Sequence, residues 1–147
     1  MEKDYLLRVL KEAAKALSAF LFRAKMEPFE VIQPDLEKKA LEYVGLSYHL
    51  LKHLSNKDLL QLLDQDGFKL FCAAQLFHAE TLSRDRENLN LTYDAIHLRL
   101  KALDLLLAAE NYIPDELAEA FEESLLALER ELEELEHHEH PFENPSL

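Results

Sequence analysis

The sequence predicts an all-α protein, either an antiparallel helical-hairpin array or an irregular bundle of about six helices. Three observations lead there. Two glycines and five prolines in 147 residues leave too few turn residues for a many-stranded sheet. Leu, Ala and Glu dominate, and these are strong helix formers. Apolar residues recur at helical spacing through most of the chain. The length suits one core, so residues 1–136 read as a single helical domain and 137–147 as a weakly structured C-terminal tail.

The first helix is predicted over 3–25, with Leu6, Leu10, Ala13, Leu17 and Leu21 on one side and a basic polar face on the other. Pro28 and Pro34 bracket what reads as an extended connection from Pro28 to Gln33, with Phe29, Val31 and Ile32 packing on the bundle. A second helix is expected from Asp35 to Leu54. Ser55-Asn56-Lys57-Asp58 resembles a capping box with Asp in place of Glu, opening a short helix that ends at the Asp64-Gln65-Asp66-Gly67 turn.

Phe68 to Arg84 carries Leu70, Phe71, Ala74, Phe77 and Leu82, with the small pair Ala73-Ala74 allowing a neighbour close; this helix is expected at the centre. After a polar break, Asp85 to Asn90, the helix from Leu91 to Glu110 is the most apolar. Ile96, Leu100, Leu103 and Leu107 mark one face and Leu98, Leu105 and Leu106 another, so neighbours should cover two sides. Its polar remainder is the stripe Asp94, His97, Lys101 and Asp104. Pro114 suits the first position of a last helix, whose single apolar stripe, Leu117, Phe121, Leu125, Leu128, Leu132 and Leu135, predicts an edge position.

Charge narrows the function classes. The formal net charge of −13 argues against nucleic acid, whose phosphates require clustered Lys and Arg. The distribution is uneven: the first helix is basic through Lys3, Arg8, Lys11, Lys15, Arg23 and Lys25, whereas Arg130 is the one base after Glu110 in a strongly acidic stretch. Charges at Glu2, Asp4, Arg8, Lys11 and Lys15 interrupt any signal-peptide core, and no run approaches the ~20 apolar residues of a membrane span. A membrane-surface role for the first helix is disfavoured, because its apolar face is needed by the fold. The lone Cys72, inside Leu70-Phe71-Cys72-Ala73-Ala74, reads as a small core residue of a cytoplasmic protein.

Chemistry-bearing motifs are incomplete. His49 and His53 have the i, i+4 spacing of two metal ligands, but Leu50 stands where a zinc-protease helix places its general base, and a shared helix surface explains them more simply. A carboxylate di-metal bundle requires repeated Glu-x-x-His pairs, and Glu134-Leu135-Glu136-His137 is a single frayed match. His137, His138 and His140 lack a fixed geometry for a physiological metal. Two glycines make no phosphate-cradling loop. No catalytic, cofactor or metal residue is therefore assigned. The Asp94, His97, Lys101, Asp104 stripe is either a solvated helix face or a polar patch for a partner or ligand.

Two resemblances add to this. Leu41-Glu42-Tyr43-Val44-Gly45-Leu46-Ser47-Tyr48 resembles the first helix of a tetratricopeptide repeat, with Gly45 allowing close helix approach, and Ala102, Leu106, Ala109 and Pro114 resemble the second. Lys57 and Asp64 stand where that repeat has small residues, which implies a divergent helical hairpin. The stretch Asp4 to Arg8 and the run Leu98 to Leu103 resemble a family of small uncharacterised bacterial helical proteins, a likeness that implies no activity. The expected function is a noncatalytic protein–protein interaction module or adaptor with an unidentified protein partner, homodimerisation through the first or last helix being a further expectation. The alternative is an enzyme or small-molecule-binding protein whose site forms between helices, around His49, His53, His78 or His97.

Overall fold

In the computed structural model, residues 2–86 and 92–139 are described, with side chains described for 4–85 and 94–136. Among them are seven α-helices and no strand: α1 (Glu2–Met26), α2 (Phe29–Lys39), α3 (Tyr48–His53), α4 (Asn56–Leu62), α5 (Gly67–Arg86), α6 (Thr92–Ala109) and α7 (Ala118–Glu139). The arrangement is an irregular bundle built around α5. Helix α1 packs chiefly on α5 and less on its sequence neighbour α2, which it meets through the Arg23–Asp35 ion pair, while α6 packs on α5 and then on α7.

Pro28 is extended as expected, but residues 29–33 are helical. Pro28 is the N-cap of α2, and Pro34 lies inside the helix. An internal proline removes one backbone hydrogen bond and costs about 3 kcal/mol. Ile32 and Leu36, both fully buried, offset that by about 1.5–3 kcal/mol each. Val31, expected to pack, is exposed.

The expected second helix is not continuous. After α2 the chain makes one π turn, Ala40–Val44, closed by the Gly45 N–H donating to Ala40 O at 2.9 Å. Gly45 then takes φ +87°, and a Cβ there would meet nothing within 4 Å. Its role is thus the left-handed backbone at a helix end, not the close approach inferred from the repeat-like motif. Ser47 restarts the helix, its hydroxyl accepting from Leu50 N. Ser55 caps α4 in the same way, accepting from Asp58 N at 3.1 Å, as its sequence motif indicates. Gly67 has a different necessity: a Cβ would lie 1.9 Å from Tyr112 O, so the start of α5 and the turn after α6 meet backbone to backbone.

Every residue from Leu70 to Thr81 is buried. Helix α5 is therefore surrounded, and its polar side chains must find partners inside the protein. Helix α6 is covered on one of its two apolar faces: Leu105, Leu106, Ala102 and Ala109 are buried, whereas Leu100 and Leu107 are exposed. Pro114 precedes a 3₁₀ turn, Asp115–Leu117, as its N-cap and is not the first residue of α7. Helix α7 continues through Glu139, past the expected tail boundary at 137. Residues 87–91 of the polar break and the start of the next helix, and 140–147 of the tail, lie outside the described residues, as do the side chains of His137 and His138. None of the described helices is long and apolar enough to cross a membrane.

Candidate functional site

Three of the four polar-stripe residues of α6 line one cleft. Asp94, His97 and Lys101 face Lys52, His53 and Ser55 from α3 and its following turn, with Glu80 and Arg84 from α5, around about 630 Å³ of open space. Asp104 lies one turn further on, exposed and outside the cleft. His49 is also exposed and does not line it, its ring stacked 4.1 Å from that of His53.

Glu80 is the buried acid of this cleft, its side chain 4% exposed. Burying a carboxylate is tolerated only when its oxygens are taken up. Tyr48 Oη donates to Oε1 at 2.8 Å, Lys52 Nζ at 3.0 Å, and Arg84 Nε donates to Oε2 at 2.8 Å. Burial pushes the Tyr48 phenol well up from its ordinary pKa, and the Glu80 charge adds to it, so the phenol stays protonated and donating. Arg84 also stacks on Phe29, 3.9 Å from the ring centroid, which ties α2 to α5. Glu80 is thereby held by three donors, two from α3 and one from α5.

Lys101 differs. Its Nζ donates to the Leu54 carbonyl and lies 5.5 Å from the Phe77 ring centroid. Its own carbonyl accepts from Asn56 Nδ2 at 3.1 Å, so the α3–α4 turn and α6 are joined in both directions. Among the described residues no carboxylate pairs with Lys101, and burial holds its pKa below the ordinary lysine value. An ammonium half out of water and without a counter-charge is an anion-seeking group. The cleft lining carries Lys52, Arg84 and Lys101 against Glu80 and Asp94, an excess of one positive charge in a chain of net charge −13.

No protein-family model, no curated protein and no solved structure matches the chain. The site is accordingly read from its own residues.

A second polar network lies on another side of α5. His78 Nε2 sits 2.8 Å from Glu131 Oε2, Arg99 Nε donates to Glu131 Oε1 at 2.7 Å, and Arg99 Nη2 donates to Asp85 Oδ2. The Arg99 side chain is 2% exposed and that of Glu131 21%. Burial alone would raise the Glu131 pKa, but the hydrogen bonds and charges of His78 and Arg99 outweigh it and bring it below the ordinary value. Gln75 Nε2 donates to Ser124 Oγ beside this network.

Cys72, fully buried, has its thiol pKa pushed far up by burial, aided by Asp66, and does not line the cleft. Among the described residues no group of three His, Cys, Asp or Glu side chains is placed to hold a metal ion. Sequence reasoning missed Glu80, Arg99 and Glu131. The signal for the first two was present: an acid and a base inside apolar stretches of α5 and α6, away from the polar stripe. Glu131 had none, being one acid of many on α7.

Proposed function

We propose that this protein is a noncatalytic interaction module whose α3–α5–α6 cleft receives an acidic group of a protein partner. The observation that carries the reading is Lys101, a half-buried ammonium with a peptide carbonyl as its hydrogen-bond acceptor and, among the described residues, no carboxylate paired with it. Lys52, Arg84, His53 and His97 stand around the same space, so an entering carboxylate would meet several donors. Noncatalytic binding is supported by the state of the reactive groups: Glu80 is engaged by three donors, and Tyr48 and Cys72 are held protonated by burial.

The test is fluorescence polarisation with a labelled peptide of Asp and Glu ending in a free carboxylate, alongside a Lys-rich control. The acidic peptide should bind with Kd below about 1 mM. Lys101→Met removes a charge-assisted hydrogen bond and should weaken binding by about tenfold or more. Asp104→Ala, outside the cleft, should leave it unchanged. Affinity should also fall as pH rises, at a lower pH than an ordinary lysine would give, because the lowered Lys101 pKa makes it lose its proton earlier. Equal binding of both peptides, or indifference to Lys101→Met, would overturn the proposal. Binding of citrate with no binding of the peptide would reassign the cleft to a small anion.

A further inference from the structure

We infer that the acidic-group cleft is proton-gated, holding its partner more tightly as His53 and His97 gain charge between about pH 7.5 and 5.5. This inference rests on the reading of the cleft proposed above. Both imidazoles line the cleft and both residues are exposed, so protons reach the rings without any rearrangement of the fold. Histidine is the side chain whose ordinary charge change falls in this range. With both rings neutral the lining carries an excess of one positive charge, and with both protonated an excess of three. The carboxylates of an Asp- and Glu-containing peptide keep their charge throughout, so attraction rises as pH falls.

Local geometry directs the proton at His53. Its Nδ1 lies 2.8 Å from His49 O. A carbonyl only accepts, so Nδ1 carries the hydrogen of the neutral ring and the second proton goes to Nε2, on the opposite edge. His53 stands in the last turn of α3, where an N–H on a helix carbonyl favours the cation. The stacked His49 ring, 4.1 Å away, and the adjacent Lys52 oppose further positive charge. Across the cleft the two rings face Glu80 and Arg84 of α5, with Asp94 and Lys101 on α6; the turn into α4 adds only the uncharged Ser55. Three bases against two acids therefore resist protonation of the cleft while it is empty. An entering carboxylate removes that resistance. Binding and protonation thus favour each other, and by linkage each strengthens the other by the same factor.

Isothermal titration of the intact chain with the Asp and Glu peptide, at pH 7.5 and 5.5 and constant ionic strength, tests this. Affinity should be about three- to tenfold higher at the lower pH, the effect of one or two added charges at a solvent-facing site. Repeating the titration at pH 6.5 in two buffers of different ionisation enthalpy should show uptake of up to about one proton per peptide bound. Combining His53→Ala with His97→Ala should bring the ratio of the two affinities close to one, with circular dichroism confirming the fold. His49→Ala, exposed but outside the cleft, should keep the ratio. Should the double variant unfold, proton uptake by the wild type still decides. Binding of equal strength at both pH values, binding without proton uptake, or a ratio that survives the double substitution would overturn the inference and leave the reading of the cleft standing. Absence of binding at either pH would overturn both.

Discussion

Arg99 and Glu131 couple α6 to α7 through a pair whose cation is almost wholly buried, and a double-mutant cycle measures what that coupling contributes. Arg99→Met keeps the volume of the aliphatic stem but leaves Glu131 with His78 as its remaining partner and Asp85 without its guanidinium. Breaking a buried pair from one side costs about 3–5 kcal/mol, because the surviving charge stays buried. Glu131 keeps 21% of its side-chain surface exposed, so water moderates the loss and the lower end, about 3 kcal/mol, is expected. Glu131→Met strands Arg99, 2% exposed, with the more exposed Asp85 as its remaining acid, and should cost at least as much. The double variant replaces the pair with packed methylenes. Its cost should stay near that of one single variant, about 3 kcal/mol, giving a coupling of about 2–3 kcal/mol. In a domain of this size each kcal/mol moves Tm by about 2–4 °C, so each single variant should melt about 6–12 °C lower. Urea denaturation followed by helical circular dichroism gives the free energies, with unchanged m-values confirming a common unfolded state. Additivity of the two single variants within about 0.5 kcal/mol would refute the reasoning.

Three further outcomes are expected. Because the Glu131 pKa is lowered on folding, its stabilisation is present above the ordinary value of 4.5 and is lost as pH falls through the folded value; wild type should therefore lose more stability on acidification below pH 4.5 than Glu131→Gln does. Parallel urea titrations from pH 5 downward check this, and identical slopes would reject it. Gly45→Ala should cost about 1–2 kcal/mol from left-handed backbone strain alone. Gly67→Ala, with its Cβ driven into Tyr112 O, should cost clearly more in the same melts, and the reverse order would contradict the assigned roles. Cys72 should react with a thiol reagent such as DTNB only after unfolding, since burial both blocks access and suppresses the thiolate; prompt reaction of native protein would count against its placement.

Much of the fold was legible because helix periodicity is a local property. The apolar stripes of α1 and α7, the Ser55 cap and the central position of α5 follow from residues a turn or two apart, whose burial depends on one helix face. Local reasoning failed at 29–33, where two prolines read as a break. The burial of Ile32 and Leu36 against the rest of the bundle outweighs a backbone preference, and no neighbouring residue announces that. Gly45 failed differently: the motif suggested a helix interior, while the π turn and positive φ make it a helix end. The uncovered face of α6, with Leu100 and Leu107 in water, was equally invisible, since an apolar residue does not state whether a neighbour reaches it.

The candidate sites divide along the same line. Sequence placed Asp94, His97, Lys101 and Asp104 on one helix stripe, as 3.6-residue periodicity requires. Only packing decided that Asp94, His97 and Lys101 meet Lys52, Glu80 and Arg84 across a cleft while Asp104 does not. Likewise, α5 is polar at Gln75, His78 and Glu80 by sequence, but which way each is satisfied depends on what surrounds the helix. Glu80 meets three donors, whereas Gln75 Oε1 and His78 Nδ1 are buried without a partner among the described residues. The chain by itself determined an acidic helical protein with one central helix. The tertiary structure decided which buried charges are paired, because pairing joins residues as far apart as 53 positions, beyond the reach of any local pattern.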